Sequence, residues 1–258
     1  MSAGAFGLLV LLLAPAPAFA FSKEVHEAVT RRALSDMSFD ASAAGAVVAG
    51  NLKTDKDEFT DPKAHFDNEQ FAAGSARLNA KLSAALDALD DCDPGLAREQ
   101  LGRALHAVQD FFAHSNWVEN HAPADPLDLF RLTDPAAGLV CDPKTHKGAL
   151  TSGYYPDDHR PSAIKCVHAE LNKDDPGRPF HEEARLRALA ETKAVLALFD
   201  RAIAAKFAAV GPNEAMYRIR LLKDGSAAFA VRRVFCRMKP GPAHAPVLPR
   251  SAEAPPWP

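Results

Sequence analysis

From Phe21 onward the apolar residues recur at intervals of three and four, the period of amphipathic helices and not of strands. Ser22 can cap a first helix running to about Ser35, and "AAGAVVAGNL" continues as a second apolar helix that stops near Gly50. Another helix is predicted from about Asn68 to Leu89. Asp93-Pro94 reads as an N-cap followed by proline at the first helical position, opening a helix through "LHAVQDFFAHSNW". Val118 to Arg178 is rich in proline and glycine and is predicted as a long loop, with one short helical turn at "DPLDLFRL". A last long helix, about His181 to Val210, carries Leu186, Leu189, Leu196, Phe199, Ile203 and Phe207 on its apolar side. After it, "YRIRLLKDGSAAFAVRRVF" reads as a β-hairpin turning at Asp224-Gly225. The expected fold class is all-α: one helical domain over 21–210 with a long central loop, a small hairpin over 211–239, and a proline-rich disordered tail over 240–258.

Residues 1–20 stand apart from this pattern. "AFGLLVLLLAPAPAFA" is an apolar run too short to span a bilayer, and it ends in Ala18-Phe19-Ala20, an A-x-A signal-peptidase site. Cleavage after Ala20 is expected, giving a secreted or periplasmic chain that starts at Phe21. With 258 residues, of which 47% are hydrophobic and 24% charged, the chain suits one main core. A formal net charge of -3 gives no basic footprint for duplex nucleic acid. Four cysteines, Cys92, Cys141, Cys166 and Cys236, suit two disulfides in an oxidising compartment. Three pairings are open, and Cys141 with Cys166 is favoured because the two bracket a segment with little apolar periodicity. Zinc–thiolate binding is the rival, but no pair has C-x-x-C spacing.

Charge placement then singles out one helix. At 3.6 residues per turn, Leu101, Leu105, Val108 and Phe112 share one stripe, while His106, Asp110 and His114 share another. Between Ala104 and Trp117 there is no Lys, Arg or Glu, so the second stripe does not resemble a solvated face. Buried imidazoles and a buried carboxylate need partners, and either a divalent cation or a structural hydrogen-bond network supplies them. His65 in "AHFDNEQF" lies near Asp55, Asp57, Glu58 and Asp61. His26 follows the expected new terminus, where a free amine at Phe21 could chelate a metal together with its own carbonyl.

"FSKEVH", "AHFDNE", "QLGRALHAVQDFFAHSNW" and "LNKDDPGRP" resemble the zinc-dependent phospholipase C superfamily, which includes single-strand nucleases, with Het-C-type proteins as the nearest branch. The resemblance implies an all-helical fold around up to three zinc ions and a metal-bound water attacking a phosphodiester. It implies as ligands Phe21, through its amine and carbonyl, with His26, His65, His106, Asp110, His114 and His181. Asp55 is assigned as ligand and general base, with Asp57 and Asp61 as competitors. His168 competes with His181 for the third site. His114 follows Asp110 with three intervening residues where the family normally has about five, and neither His181 nor His168 is followed four residues on by an acid. The implied activity is an exported phosphodiesterase acting on a phospholipid at a membrane surface. The alternatives are a non-catalytic Het-C-type binding or adhesion protein with structural metal, and a single-strand nuclease, which the shortage of stacking aromatics disfavours.

Overall fold

A computed structural model describes residues 21–136, 140–142, 147–211 and 213–226. The predicted signal segment, most of the hairpin and the proline-rich tail lie outside these residues. Among the described residues the fold is all-α, a single helical domain without strands, with two isolated β-bridges, Ser115 with Ser152 and Tyr154 with Val167. No helix of the described residues is long and apolar enough to cross a membrane.

The described residues form nine α-helices in order: α1 (Lys23–Asp36), α2 (Ala41–Glu58), α3 (Pro62–His65), α4 (Phe71–Asp90), α5 (Pro94–His114), α6 (Trp117–Asn120), α7 (His168–Leu171), α8 (His181–Ala208) and α9 (Glu214–Lys223). Helix α5 is the axis, packed against α2, α4 and α8. Asp93 caps it, accepting from the Leu96 amide at 3.0 Å, with Pro94 behind it, as the sequence indicates. Every residue from Leu101 to His114 is buried, so this stretch of the helix has no solvated face. Its apolar stripe meets Phe66, Phe71, Phe199 and Ile203 in one core. Each such fully buried side chain contributes about 1.5–3 kcal/mol.

Gly50 does not end the second helix. Helix α2 runs on to Glu58, and a Cβ at Gly50 would lie 2.5 Å from the Glu99 carbonyl oxygen of α5. On the facing side, a Cβ at Gly102 would lie 2.2 Å from the Val47 carbonyl oxygen. The two glycines therefore allow backbone-to-backbone approach at the crossing of α2 and α5. That crossing carries the last two turns of α2, and with them Asp55, alongside the polar stripe of α5.

Four further expectations change. "YRIRLLK" is the body of α9 and not a strand: Tyr217, Arg218, Leu221 and Leu222 are buried at helical spacing. Arg98 holds the end of that helix, its guanidinium donating to the Leu221 and Leu222 carbonyls at 2.8 Å. "DPLDLFRL" forms turns without a helix, pinned by the Asp128 carboxylate accepting from the Phe130 amide and by the buried Leu129 side chain. The long loop contains α6, α7 and a 3-10 turn, Asp157–His159. On α8, Leu196, Phe199, Ile203 and Phe207 are buried while Leu186 is exposed. The loop is closed by the Cys141–Cys166 disulfide, the favoured pairing, and no cysteine among the described residues is a free thiol.

Candidate metal centre

The polar stripe of α5 faces inward onto α1, α2 and α3. Asp110, at the centre, is fully buried. One of its oxygens lies 3.1 Å from His26 Nε2 of α1, and the other lies 2.7 Å from His65 Nδ1 of α3 and 2.8 Å from His106 Nε2. Asp55 of α2 adds a carboxylate oxygen 3.2 Å from His106 Nε2. Two overlapping donor groups result, His26 with Asp55 and His106, and His65 with His106 and Asp110. Of its acidic neighbourhood Asp55 is the member beside His106: Asp57 pairs with Arg103 at 2.6 Å, and Asp61 caps α3 through the Lys63 amide. Glu58, the remaining acid, is held between Arg77 and Arg103.

The imidazoles share an arrangement. Each puts one ring nitrogen on a carbonyl oxygen and the other toward the carboxylates. His26 Nδ1 donates to Gln109 Oε1 at 2.7 Å, His65 Nε2 to the Glu58 carbonyl at 3.1 Å, and His106 Nδ1 to Asn51 Oδ1 at 3.3 Å. Gln109 and Asn51 are themselves held by the buried Thr30 hydroxyl at 2.9 and 3.1 Å. Carbonyl acceptors on the far nitrogen fix the tautomer and orient the ring, as behind metal-bound histidines. Thr30, Asn51 and Gln109 were not visible as site residues from sequence: each is an ordinary polar residue until the fold stacks all three behind the imidazoles.

A second donor group joins Asp67, His114 and His168. Phe66, in the left-handed region at φ 55°, ends α3 and turns Asp67 away from His65 toward the end of α5. Asp67 lies 3.0 Å from His114 Nδ1, whose hydrogen bond goes to the His65 carbonyl at 3.1 Å. His168 arrives on α7, its amide donating to the Tyr154 carbonyl at 2.9 Å. His181 is not among these groups. Its Nδ1 donates to the Lys173 carbonyl at 2.6 Å. Phe21 is fully buried, its ring edge-on to both His26 and His181 at 5.8 Å. Thus the fold gathers His26, Asp55, His65, His106 and Asp110, places His114 in a second group with Asp67 and His168, and leaves His181 behind Phe21.

Electrostatically the groups are strongly coupled. Burial disfavours the charged form of His106, yet Asp110 and Asp55 outweigh it and raise its pKa to about 9. His114 is likewise raised against burial, by Asp67 and Asp110. Burial would push Asp110 up, but His106, His114 and His26 hold it well below the usual carboxylate range. His168 is lowered, first by burial and then by His114. Several inward atoms have no hydrogen-bond partner: His26 Nε2, one oxygen each of Asp55, Asp67 and Asp110, and His114 Nε2. Buried donors and acceptors left this way are costly, and a cation among them is what satisfies such a set. The residues fit zinc, with imidazole and carboxylate donors in each group. Asp55, Phe59, His65, Asp67, His114, Tyr155 and His168 enclose only about 10 Å³, room for about one water molecule.

The VWA7 N-terminal domain family matches residues 20–129. Among curated proteins, von Willebrand factor A domain-containing protein 7 of Rattus norvegicus is 33% identical over 169 residues, covering 55% of this chain and 19% of that protein. The Homo sapiens protein of that name is 34% identical over 166 residues, covering 53% and 18%. The chain therefore spans about a fifth of the length of the curated relatives it matches. No solved structure matches. These matches overturn the resemblance to the zinc-dependent phospholipase C and nuclease superfamily. The phosphodiesterase acting on a phospholipid, the nuclease and the Het-C-type alternative fall with it. Histidines and aspartates spaced along helices carried much of that resemblance, and such spacing does not by itself report a shared reaction.

Proposed function

We propose that this helical domain binds divalent ions of the zinc class in its interior, one centre formed by His26, Asp55, His65, His106 and Asp110 and a second by Asp67, His114 and His168. The observation that carries the reading is the orientation of the imidazoles. His26, His65 and His106 each spend one nitrogen on a carbonyl oxygen and turn the other toward Asp110, which has one oxygen unpartnered. Imidazole-rich sets favour zinc and its first-row neighbours over magnesium or calcium, which take oxygen ligands.

The ligands come from α1, α2, α3, α5 and α7, so bound ions would tie together helices distant in sequence. In this reading the domain is a metal-stabilised scaffold, of which residues 20–129 are similar to the VWA7 N-terminal domain. Export is the matching compartment: the Cys141–Cys166 disulfide and the A-x-A sequence at Ala18–Ala20 both support it.

The test is elemental analysis of the purified protein after dialysis against metal-free buffer, with Asp110→Asn alongside. The parent chain is expected to retain zinc in whole-number stoichiometry. The variant should lose the ion of the first centre, because a neutral amide is a far weaker ligand than a carboxylate. A parent chain with no bound metal after zinc loading, or a variant with full zinc content, refutes the assignment.

A further inference from the structure

The second donor group has an undeclared neighbour. Asp174 lies in the loop between α7 and α8, is 6% exposed, and neither carboxylate oxygen has a hydrogen-bond partner. The cations nearby in sequence are engaged elsewhere. Lys173 Nζ binds the Ser115 and Leu171 carbonyls and pairs with Glu119 at 2.8 Å, and Arg178 binds the Asn172 and Ala169 carbonyls. None of these cations reaches the buried Asp174 carboxylate, which needs a positive charge close by.

The group it faces is His114. In the neutral form that a metal requires, with Nδ1 donating to the His65 carbonyl, His114 carries its lone pair on Nε2, which has no hydrogen-bond partner, and Asp174 Oδ1 is 3.7 Å away. That separation is too long for a hydrogen bond. It suits two ligands on one ion, since donors about 2.0–2.1 Å from zinc at tetrahedral or wider angles lie about 3.3–3.7 Å apart. The backbone holds Asp174 in position from three sides. The Lys173 amide donates to the Ala113 carbonyl at 3.0 Å, the Lys173 carbonyl accepts from His181 Nδ1, and the Asp174 carbonyl accepts from the Ser22 amide at 3.4 Å.

We propose that Asp174 is a carboxylate ligand of the second centre, binding the same zinc-class ion as His114 Nε2. The proposal rests on the metal-binding reading above and adds a residue to it. It also gives His181 a role: this histidine anchors the strand of backbone that presents Asp174.

The experiment compares the parent chain with Asp174→Asn, Asp174→Glu and the exposed neighbour Asp175→Asn, each stripped with a chelator and titrated with zinc. Asp174→Asn is expected to bind one ion fewer, or to bind it at least about 100-fold more weakly, since even residues supporting a ligand are worth 10–100-fold. Asp174→Glu should recover part of the loss, and Asp175→Asn should match the parent. Melting of the metal-free proteins separates ligand from strut: no hydrogen bond of the chain ends on the Asp174 carboxylate, so metal-free Asp174→Asn should melt close to the metal-free parent. Full zinc binding by Asp174→Asn, or a metal-free form that melts well below the parent, overturns the proposal. No zinc in the parent would instead refute the metal reading itself.

Discussion

Removing metal should reverse how the protein's stability responds to pH. His106 is fully buried, with Asp110 on its own helix, Asp55 on α2, His65 on α3 and His26 on α1 around it. Without an ion, its pKa rises from 6.5 to about 9. A group whose pKa is raised on folding stabilises most where both states are protonated, below about pH 6.5, and that contribution is lost as pH rises through 9. The shift corresponds to about 3 kcal/mol. His114 shifts in the same direction and adds to the loss. Asp55 and Asp110, both lowered, act only near pH 4 and below, outside this window. His168, lowered, costs stability only below about pH 6.5. Chelator-treated protein should therefore melt roughly 6–12 °C lower at pH 9 than at pH 6.5, at 2–4 °C per kcal/mol. Zinc-loaded protein should show the opposite trend at constant free zinc, because the ion binds the deprotonated imidazoles and competes with protons. Calorimetric scans of both forms at pH 6.5, 7.5 and 9 make the comparison. Parallel pH profiles, or a metal-free form more stable at pH 9, would refute the reasoning.

Gly102→Ala should destabilise by about 3 kcal/mol in urea unfolding and weaken zinc binding with it, because its Cβ would meet the Val47 carbonyl and push α2, which carries Asp55, away from α5. Gly45→Ala, in the same helix α2 but with nothing within 4 Å, should be neutral or stabilising by up to about 1 kcal/mol. The double variant Cys141→Ser/Cys166→Ser, opening a loop with a sequence separation of 25, should lower unfolding free energy by about 3–4 kcal/mol in the chain-entropy model. An unchanged urea midpoint would show that the Glu69–Lys165 ion pair, 2.7 Å and buried, holds the loop without the disulfide.

How far the sequence disclosed the site depended on the distance over which each signal acts. The i, i+4 placement of His106, Asp110 and His114 is local, and a helix free of long charged residues made its burial legible. Asp55 could not be separated from Asp57 and Asp61 by spacing, because what separates them is Arg103 on α5 and the cap of α3. Asp67 was hidden by a left-handed Phe66, which sends two residues only two apart into different groups. Asp174 lies within the quoted "LNKDDPGRP", but that stretch does not mark it as a ligand, since its environment is made by the ends of α1 and α5. The hairpin expectation failed for a related reason: "YRIRLL" alternates as a strand would, and only packing of Tyr217, Arg218, Leu221 and Leu222 together decides for a helix.

The two centres also differ in how they stand to the matched segment. Residues 20–129 include every donor of the first centre, from His26 to Asp110, together with Thr30, Asn51 and Gln109 behind the imidazoles. The second centre draws Asp67 and His114 from that segment but His168, and in our proposal Asp174, from beyond it. Its outer half hangs on the disulfide-closed loop, through Tyr154 bonding both Cys166 and His168. The first centre is thus built into the bundle, where losing an ion leaves imidazolium–carboxylate pairs to hold the helices. The second is closed across a loop, where losing an ion leaves Asp174 buried without a hydrogen-bond partner. Metal should therefore leave the second centre with local opening of the loop and leave the first only with loosening of the bundle, an order that hydrogen exchange during chelation would resolve.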